Sequence, residues 1–445
     1  MYYSKNKIRN YLRFIIVFTL AIYTSSCNKF LAITPTNAVS DQIAITDSAS
    51  ASNALRGNYR TLADGLSSFY FDVLLSGNDI LYTQSSAYSL QFLYHTLTSD
   101  NDDLGTIWAN EYAVINQANF ILSKVPDLQN ISDKYKSQIL GEAYFLRGIA
   151  YFNLARTFGN VQLFLKPTLE VSDKYGVSQS PKDEVLNQVL NDLNDAISLL
   201  PDVLNRNRAT KKSAVALRSR LFLYLDNWDA AEKDASSVIS DSSNYKLVYP
   251  YSLFYTSSDN SEIIFEASYS LNYPNGMYSG WKSGGNYRPN DSIISLLNDP
   301  EVGGSRKSLL TKSGNTILGN LYPSSNGTDP IPLIRVAELF LIRAEARAHL
   351  GNYVGAFSDL NKVRSRADLP NIAVSNNSII YDYLEKEGRV EFALEPYRWF
   401  NLVRTGRAAS VLNVSEAFRY LFPIPTSEIQ ADKSLIQNPG YSSSN

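Results

Sequence analysis

Between residues 385 and 404 the chain crowds carboxylates against guanidiniums: Glu385, Glu387, Glu391 and Glu395 alternate with Arg389, Arg398 and Arg404 at three- and four-residue steps. Two glutamates placed on either side of a sugar linkage would act as the acid and base of glycoside hydrolysis. Ion pairing along a helix explains the same spacing without catalysis and is the favoured reading. A second acidic run, Asp100-Asn101-Asp102-Asp103-Leu104-Gly105 with Glu111 at the twelfth position, has the oxygen ligands and turn glycine of a calcium loop, although Leu104 stands where a third oxygen ligand belongs. Acidic residues ahead of a helix also cap and stabilise its start. Calcium held by Asp100, Asp102 and Glu111 is therefore the lesser of two expectations. The chain has no H-E-x-x-H, no G-x-S-x-G and no phosphate-cradling glycine loop, and neither His95 nor His349 has a metal-ligand neighbour at helical spacing. These residues point to a protein that binds without catalysing, with no resident cofactor.

Binding chemistry is better represented. The chain holds 30 tyrosines and 20 phenylalanines against two histidines and two methionines. Tyrosine joins an apolar face to a polar tip, which suits ligands such as sugars; it equally suits a tyrosine-rich core. Two loops concentrate such residues: Ser76 to His95, with Asn78, Asp79, Tyr82, Tyr88 and Tyr94, and Tyr269 to Tyr287, with Tyr278 and Trp281. Loops on a rigid scaffold are where binding residues gather. Lysine plus arginine (41) nearly balances aspartate plus glutamate (43), so no overall field favours nucleic acid.

The elements that must carry these loops are helical. Periodicity predicts helices near 48–62, 107–123, 134–158, 182–200, 211–225, 228–240, 333–350, 353–367 and 379–402, with short extended pieces near 246–248 and 263–267. Three helices repeat one internal order, an aliphatic residue, Arg, a small residue, then Leu six positions on: Leu146-Arg147-Gly148 with Leu154, Leu217-Arg218-Ser219 with Leu225, and Ile342-Arg343-Ala344 with Leu350. The last two lead into matching turns, Asp226-Asn227-Trp228 and Gly351-Asn352-Tyr353, followed by Ala231 and Ala356. Small residues on facing helices permit close antiparallel packing, with the turn aromatic wedging the bend, and the pattern resembles tetratricopeptide units. The expected fold is predominantly α, a superhelical scaffold of tetratricopeptide-like hairpins with an irregular, loop-rich subdomain inserted.

The first residues read as an export signal. Lys5, Lys7, Arg9 and Arg13 precede the apolar run Phe14–Tyr23, too short to span a bilayer, and Thr24-Ser25-Ser26 lead to Cys27, the only cysteine. Residues 1–26 are expected to be a bacterial lipoprotein signal peptide, Cys27 the lipidated residue and 27–47 a tether, with acyl chains holding the protein on a membrane. The body then divides into a helical part at 48–240, a loop-rich insertion at 241–332 that is a candidate ligand surface, and a C-terminal helical part at 333–445.

Several further pieces occur in one order: Ser26-Cys27-Asn28-Lys29-Phe30-Leu31, Gly141-Glu-Ala-Tyr-Phe-Leu-Arg147 with Phe158-Gly159-Asn-Val161, Arg335-Val-Ala-Glu338 with Arg343-Ala-Glu-Ala346, Asn361-Lys-Val-Arg364-Ser-Arg-Ala367, Glu387 to Gly406, Pro423-Ile-Pro425 with Glu428-Ile429, and Gln437-Asn-Pro-Gly-Tyr441. In these the chain resembles, from end to end, the SusD/RagB nutrient-uptake lipoproteins of Bacteroidetes. The resemblance implies a lipid-anchored protein of the outer membrane, facing the cell exterior, that forms the lid of a SusC-like TonB-dependent importer and captures oligosaccharides. Peptides or another nutrient are the alternative cargo, and a lipid-anchored hydrolase ranks last. In starch-binding members loop aromatics stack on sugar rings while Asn, Asp and Arg bond hydroxyls, which makes Trp281, Tyr278, Tyr287, Asn78, Asp79 and Tyr82 the candidate ligand residues here.

Overall fold

A computed structural model of the chain describes residues 45–257, 260–283, 285–374 and 377–442. The expected signal segment and Cys27 lie outside the described residues. From Ile45 onward the chain forms one compact unit, and the loop-rich 241–332 is woven into it.

Among the described residues nine helices of at least twelve residues organise this unit: α1 (Ser48–Ser76), α2 (Asp102–Lys124), α3 (Asp133–Phe158), α4 (Lys182–Leu199), α5 (Lys211–Tyr224), α6 (Trp228–Ile239), α7 (Val336–His349), α8 (Tyr353–Arg366) and α9 (Ile380–Glu391), followed by the short α10 (Arg398–Arg404). From α2 to α8 each packs against the next in sequence. Two-stranded antiparallel sheets fill the gaps: β1 (Ile80–Tyr82) with β5 (Tyr287–Pro289), β2 (Val161–Gln162) with β3 (Gln179–Ser180), β4 (Ile263–Ala267) with β8 (Ile331–Arg335), and β6 (Leu310–Ser313) with β7 (Thr316–Gly319).

The three-fold sequence pattern has a chemical cause. Arg147 on α3 grips Asp192 on α4 with two parallel hydrogen bonds (2.9 and 2.6 Å), Arg218 on α5 grips Asp234 on α6 (2.7 and 2.9 Å), and Arg343 on α7 grips Asp359 on α8 (2.8 and 2.6 Å). Each arginine is thus a fork clamping its helix to the next, a geometry that lysine lacks. The turns match as well. Asp226 (φ 51°) and Gly351 (φ 79°) adopt the left-handed conformation that reverses the chain, and the Asn227 and Asn352 side chains accept hydrogen bonds from the Ala230 and Gly355 amides to start the next helix. Ala231 and Ala356 are fully buried, as close packing requires. Trp228, expected to wedge its own bend, instead lies flat on His349 of α7, with ring centroids 3.8 Å apart.

Several boundaries differ from expectation. Helix α1 continues to Ser76, well past the expected end near 62, because Leu66, Phe69, Tyr70, Val73 and Leu74 keep one face buried. Gly65 marks a crossing: a Cβ there would lie 2.0 Å from the Asn110 amide on α2. The stretch predicted as one helix at 379–402 breaks into α9 and α10, since Pro396 cannot continue the backbone ladder and Leu394 turns left-handed (φ 69°). Residues 333–335, predicted to open a helix, are the end of β8; the predicted extended piece 263–267 is β4, whereas 246–248 forms no strand.

Three of the four glutamates of the 385–404 stretch are absorbed by this core, while Glu385 stays part-exposed against Arg407. Glu391, fully buried, lies against Arg306, Arg335 and Arg366; Glu387 pairs with Arg306 and Arg364; Glu395 pairs with Arg335, which also holds Glu262. Burial alone would push Glu391 up, yet Arg366, Arg306 and Arg335 hold it well below the usual carboxylate range. Glu387, Glu391 and Glu395 are thus arginine partners inside the protein.

Candidate ligand-binding site

The two aromatic loops meet. Strand β1 follows α1 and pairs antiparallel with β5, setting Ile80 opposite Pro289, Leu81 opposite Arg288 and Tyr82 opposite Tyr287. Hydrogen bonds extend the pairing at both ends, from the Thr83 amide to the Asn286 carbonyl (2.8 Å) and from the Asn290 amide to the Asp79 carbonyl (3.0 Å). Asn290 also donates from its side chain to the Asn78 carbonyl (2.7 Å) while its Oδ1 caps the short helix at 291–298. Segments remote in sequence are thereby locked into one surface.

On that surface the rings are layered. Phe71, from the last turns of α1, stacks flat beneath Tyr287 with centroids 3.7 Å apart and planes 6° from parallel, and Tyr82 leans on Tyr287 at 5.2 Å. Gly280 makes the layering possible, because a Cβ there would fall 2.3 Å from the Phe71 ring. Tyr82, Tyr278 and Tyr287 are each partly exposed, Leu81 is exposed, and Asn78 is exposed in the left-handed conformation (φ 52°). Burial, with Asp72 beside it, pushes the Tyr287 phenol upward, so its hydroxyl keeps its proton and remains a donor at neutral pH.

Two of the candidate residues hold other positions. Trp281 is completely buried, edge-on to Phe71 at 5.4 Å, and packed so closely on Gly319 that a Cβ there would lie 2.8 Å from the indole. With no exposed face, it supports the platform from beneath and cannot stack on a ligand in this conformation. Asp79 is 3% exposed and lies between Arg389 (3.0 Å) and Arg398 (2.8 Å); burial pushes its carboxyl up against the pull of both guanidiniums. Arg398 in addition donates to the Gly77 carbonyl (2.7 Å), so Asp79 tethers the β1 loop to α10. Sequence inspection places Arg389 and Arg398 in a helical ion-pair run, and nothing local to that run announces a partner more than 300 positions away. Phe71 is hidden likewise inside an ordinary helical period.

The acidic run at 100–111 does not adopt the loop that the calcium expectation describes. Helix α2 begins at Asp102, with the Asn101 side chain capping the Asp103 amide (3.0 Å), so the stretch from Asp102 to Glu111 is helical where a calcium loop would curl around its ion. Glu111 points into the core, where burial pushes its carboxyl to about 8 and Asn153 donates to it (2.8 Å). Among the described residues no three His, Cys, Asp or Glu side chains converge as metal ligands. His95 is also structural, its Nε2 at 2.9 Å from the Ser76 carbonyl and its ring against Trp399.

Comparison with known proteins agrees with this architecture. A SusD-like family model, described as starch-binding associating with outer membrane, matches residues 37–223, and the SusD family model matches residues 317–414. SusD-like protein P38 of Formosa agariphila is 25% identical across 97% of this chain and 98% of its own length. The starch-binding protein SusD of Bacteroides thetaiotaomicron is 34% identical over a shorter stretch, 27% of this chain and 23% of that one. Among solved structures, a laminarin-binding SusD-like protein superposes with a TM-score of 0.78 at 24% identity, covering 89% of this chain and all of that one. A putative sugar-binding protein from Bacteroides vulgatus gives 0.79 at 23% identity, covering 90% of this chain and all of that one. The fold is that of the SusD-like proteins. The chain belongs to the SusD/RagB family of Bacteroidetes.

Proposed function

We propose that this protein is a glycan-binding lipoprotein of the outer membrane, anchored through Cys27, which captures oligosaccharide at the β1–β5 face and passes it to a SusC-like TonB-dependent transporter. The observation that carries the binding assignment is the layered set Phe71, Tyr287 and Tyr82. A flat, partly exposed tyrosine, backed by a second ring, offers apolar contact to a sugar face together with its own hydroxyl as donor and acceptor. Starch-binding and laminarin-binding relatives support glucan as the first ligand class to test. Outer-membrane attachment is supported by the description of the matching family model, and the transporter partner by the sequence resemblance to the SusD/RagB lipoproteins.

Binding without catalysis is the reading supported by the fate of the glutamates, since Glu387, Glu391 and Glu395 are buried against arginines and present no open carboxylate pair to a scissile bond. The test is a calorimetric titration with α-1,4- and β-1,3-glucan oligosaccharides and with short peptides. Glucan binding weakened by Tyr82→Ala and Tyr287→Ala supports the assignment, peptide binding alone rejects it, and glucan turnover by the protein rejects the non-catalytic reading. Co-purification of a large outer-membrane barrel in mild detergent tests the partner; recovery of the protein alone counts against it.

A further inference from the structure

A cleft of about 480 Å³ opens where Asp226 and Trp228, at the start of α6, approach α7, α9 and α10; none of the six candidate glycan residues lines it. One wall is aromatic. Trp228 lies parallel to His349 at 3.8 Å, and Tyr381 leans on the same imidazole at 5.1 Å. Trp228 is partly exposed and Tyr381 is 38% exposed, so the wall meets solvent. A neighbouring cavity of about 370 Å³ shares Glu385, Tyr397 and Asn401 with this one and reaches Arg389 and Arg398, the residues that hold Asp79.

The charges of the cleft do not cancel. Its lining includes the carboxylates of Asp226, Glu345, Asp382 and Glu385 against the guanidiniums of Arg404 and Arg407. Both guanidiniums are engaged: Arg404 binds Glu345 through two hydrogen bonds (2.7 and 2.8 Å), and Arg407 binds Glu385 (2.8 Å). Asp226 and Asp382 remain exposed, without an ion-pair partner among the described residues, although Arg407 lies near enough to Asp382 to feel its charge. Unopposed carboxylates beside aromatic faces attract an ammonium group twice over, by direct charge and by the negative face of the rings. Acidic ligands are repelled by the same charges.

We infer that this cleft is a second binding site, for an amine-bearing sugar unit, with its ammonium held between Asp226 and Asp382 and its apolar face against the Trp228 and Tyr381 wall. The sugar part of the assignment rests on the glycan-binding reading above; the preference for an amine rests on the cleft itself. A cleft of this size admits one or two sugar rings, within the usual range for small-molecule sites.

The test is calorimetry on the purified full chain in detergent at pH 6, using a glucosamine tetramer, its fully N-acetylated counterpart and a lysine tripeptide. The expected result is glucosamine-tetramer binding at least about tenfold tighter than the acetylated form, reduced about tenfold or more by the double variant Asp226→Asn/Asp382→Asn. Both aspartates are exposed, so this variant should keep the wild-type unfolding midpoint and its affinity for neutral glucans. Equal binding of the acetylated and free-amine tetramers, indifference to the double variant, or no binding at all overturns the proposal. Equally tight binding of the lysine peptide overturns the sugar assignment. Neutral-glucan binding that responds to Tyr287→Ala without any glucosamine binding refutes the cleft alone, and the reverse pattern refutes the β1–β5 reading alone.

Discussion

Tyr82 stands directly across the β1–β5 pairing from Tyr287, their rings 5.2 Å apart, although more than 200 positions of chain separate them. The contact is held by backbone hydrogen bonds at either end and by Phe71 stacked under Tyr287. A platform fixed in this way loses little conformational freedom when a ligand arrives, which favours affinity from a small contact area.

Trp281 should matter for folding and not for recognition. Fully enclosed between Phe71 and Gly319, its truncation in Trp281→Ala removes a large core side chain, for an expected loss of about 3–5 kcal/mol. Urea denaturation should show that loss, while Trp281→Phe should retain most of the stability and bind glucan as wild type does. A Trp281→Phe variant with wild-type stability and abolished binding would show that the indole reaches the ligand.

The arginine forks should be unequal to ordinary surface ion pairs. Arg147 and Asp192 are both buried, so Arg147→Ala leaves an aspartate in the core with only Gln188 to satisfy it and should cost about 3–5 kcal/mol. Arg147→Lys should recover little, because one ammonium cannot replace two parallel bonds. By contrast, Glu416→Ala, at the exposed end of the ion pair with Arg419, should cost less than about 1 kcal/mol. Denaturant midpoints of the three variants test the ordering; equal losses for Arg147→Ala and Glu416→Ala would contradict it.

Sequence inspection reached the helices, the repeat and the two aromatic loops because each leaves a local trace: apolar periodicity, a repeated Leu-Arg-small order, clusters of Tyr with Asn and Gly. It did not reach the reason for the repeat. The partners Asp192, Asp234 and Asp359 lie on the following helices and look like ordinary helical acids. Nor could it separate the partly exposed Tyr287 from the buried Trp281, since both sit in one Gly- and Ser-rich stretch and only the packing of Phe71 and Gly319 around the indole decides which is covered. The break of 379–402 at Pro396 was missed although the proline is a local signal, and the pull of Glu391 and Glu395 toward Arg335 required the third dimension.

Glu111 should impart a pH dependence. Its carboxyl titrates near 4.5 in the unfolded chain and is held at about 8 by burial in the folded one, so between these values the folded state keeps a proton that the unfolded state has released. Stability from this residue therefore falls as pH rises from about 4.5 to about 8 and is level beyond. Glu111→Gln should flatten the decline in urea midpoint between pH 5 and pH 8 relative to wild type. An unchanged slope would mean that Glu111 ionises in the folded protein at its ordinary value.

The most direct measurement is the affinity of wild type and Tyr287→Ala for maltoheptaose and laminariheptaose by calorimetry, with Tyr287→Phe as the control that keeps the ring. Binding of at least one glucan by wild type, about tenfold weaker in Tyr287→Ala and largely retained in Tyr287→Phe, is the predicted result. Tight glucan binding that is identical in wild type and Tyr287→Ala would contradict the assignment of the β1–β5 face as the glycan site.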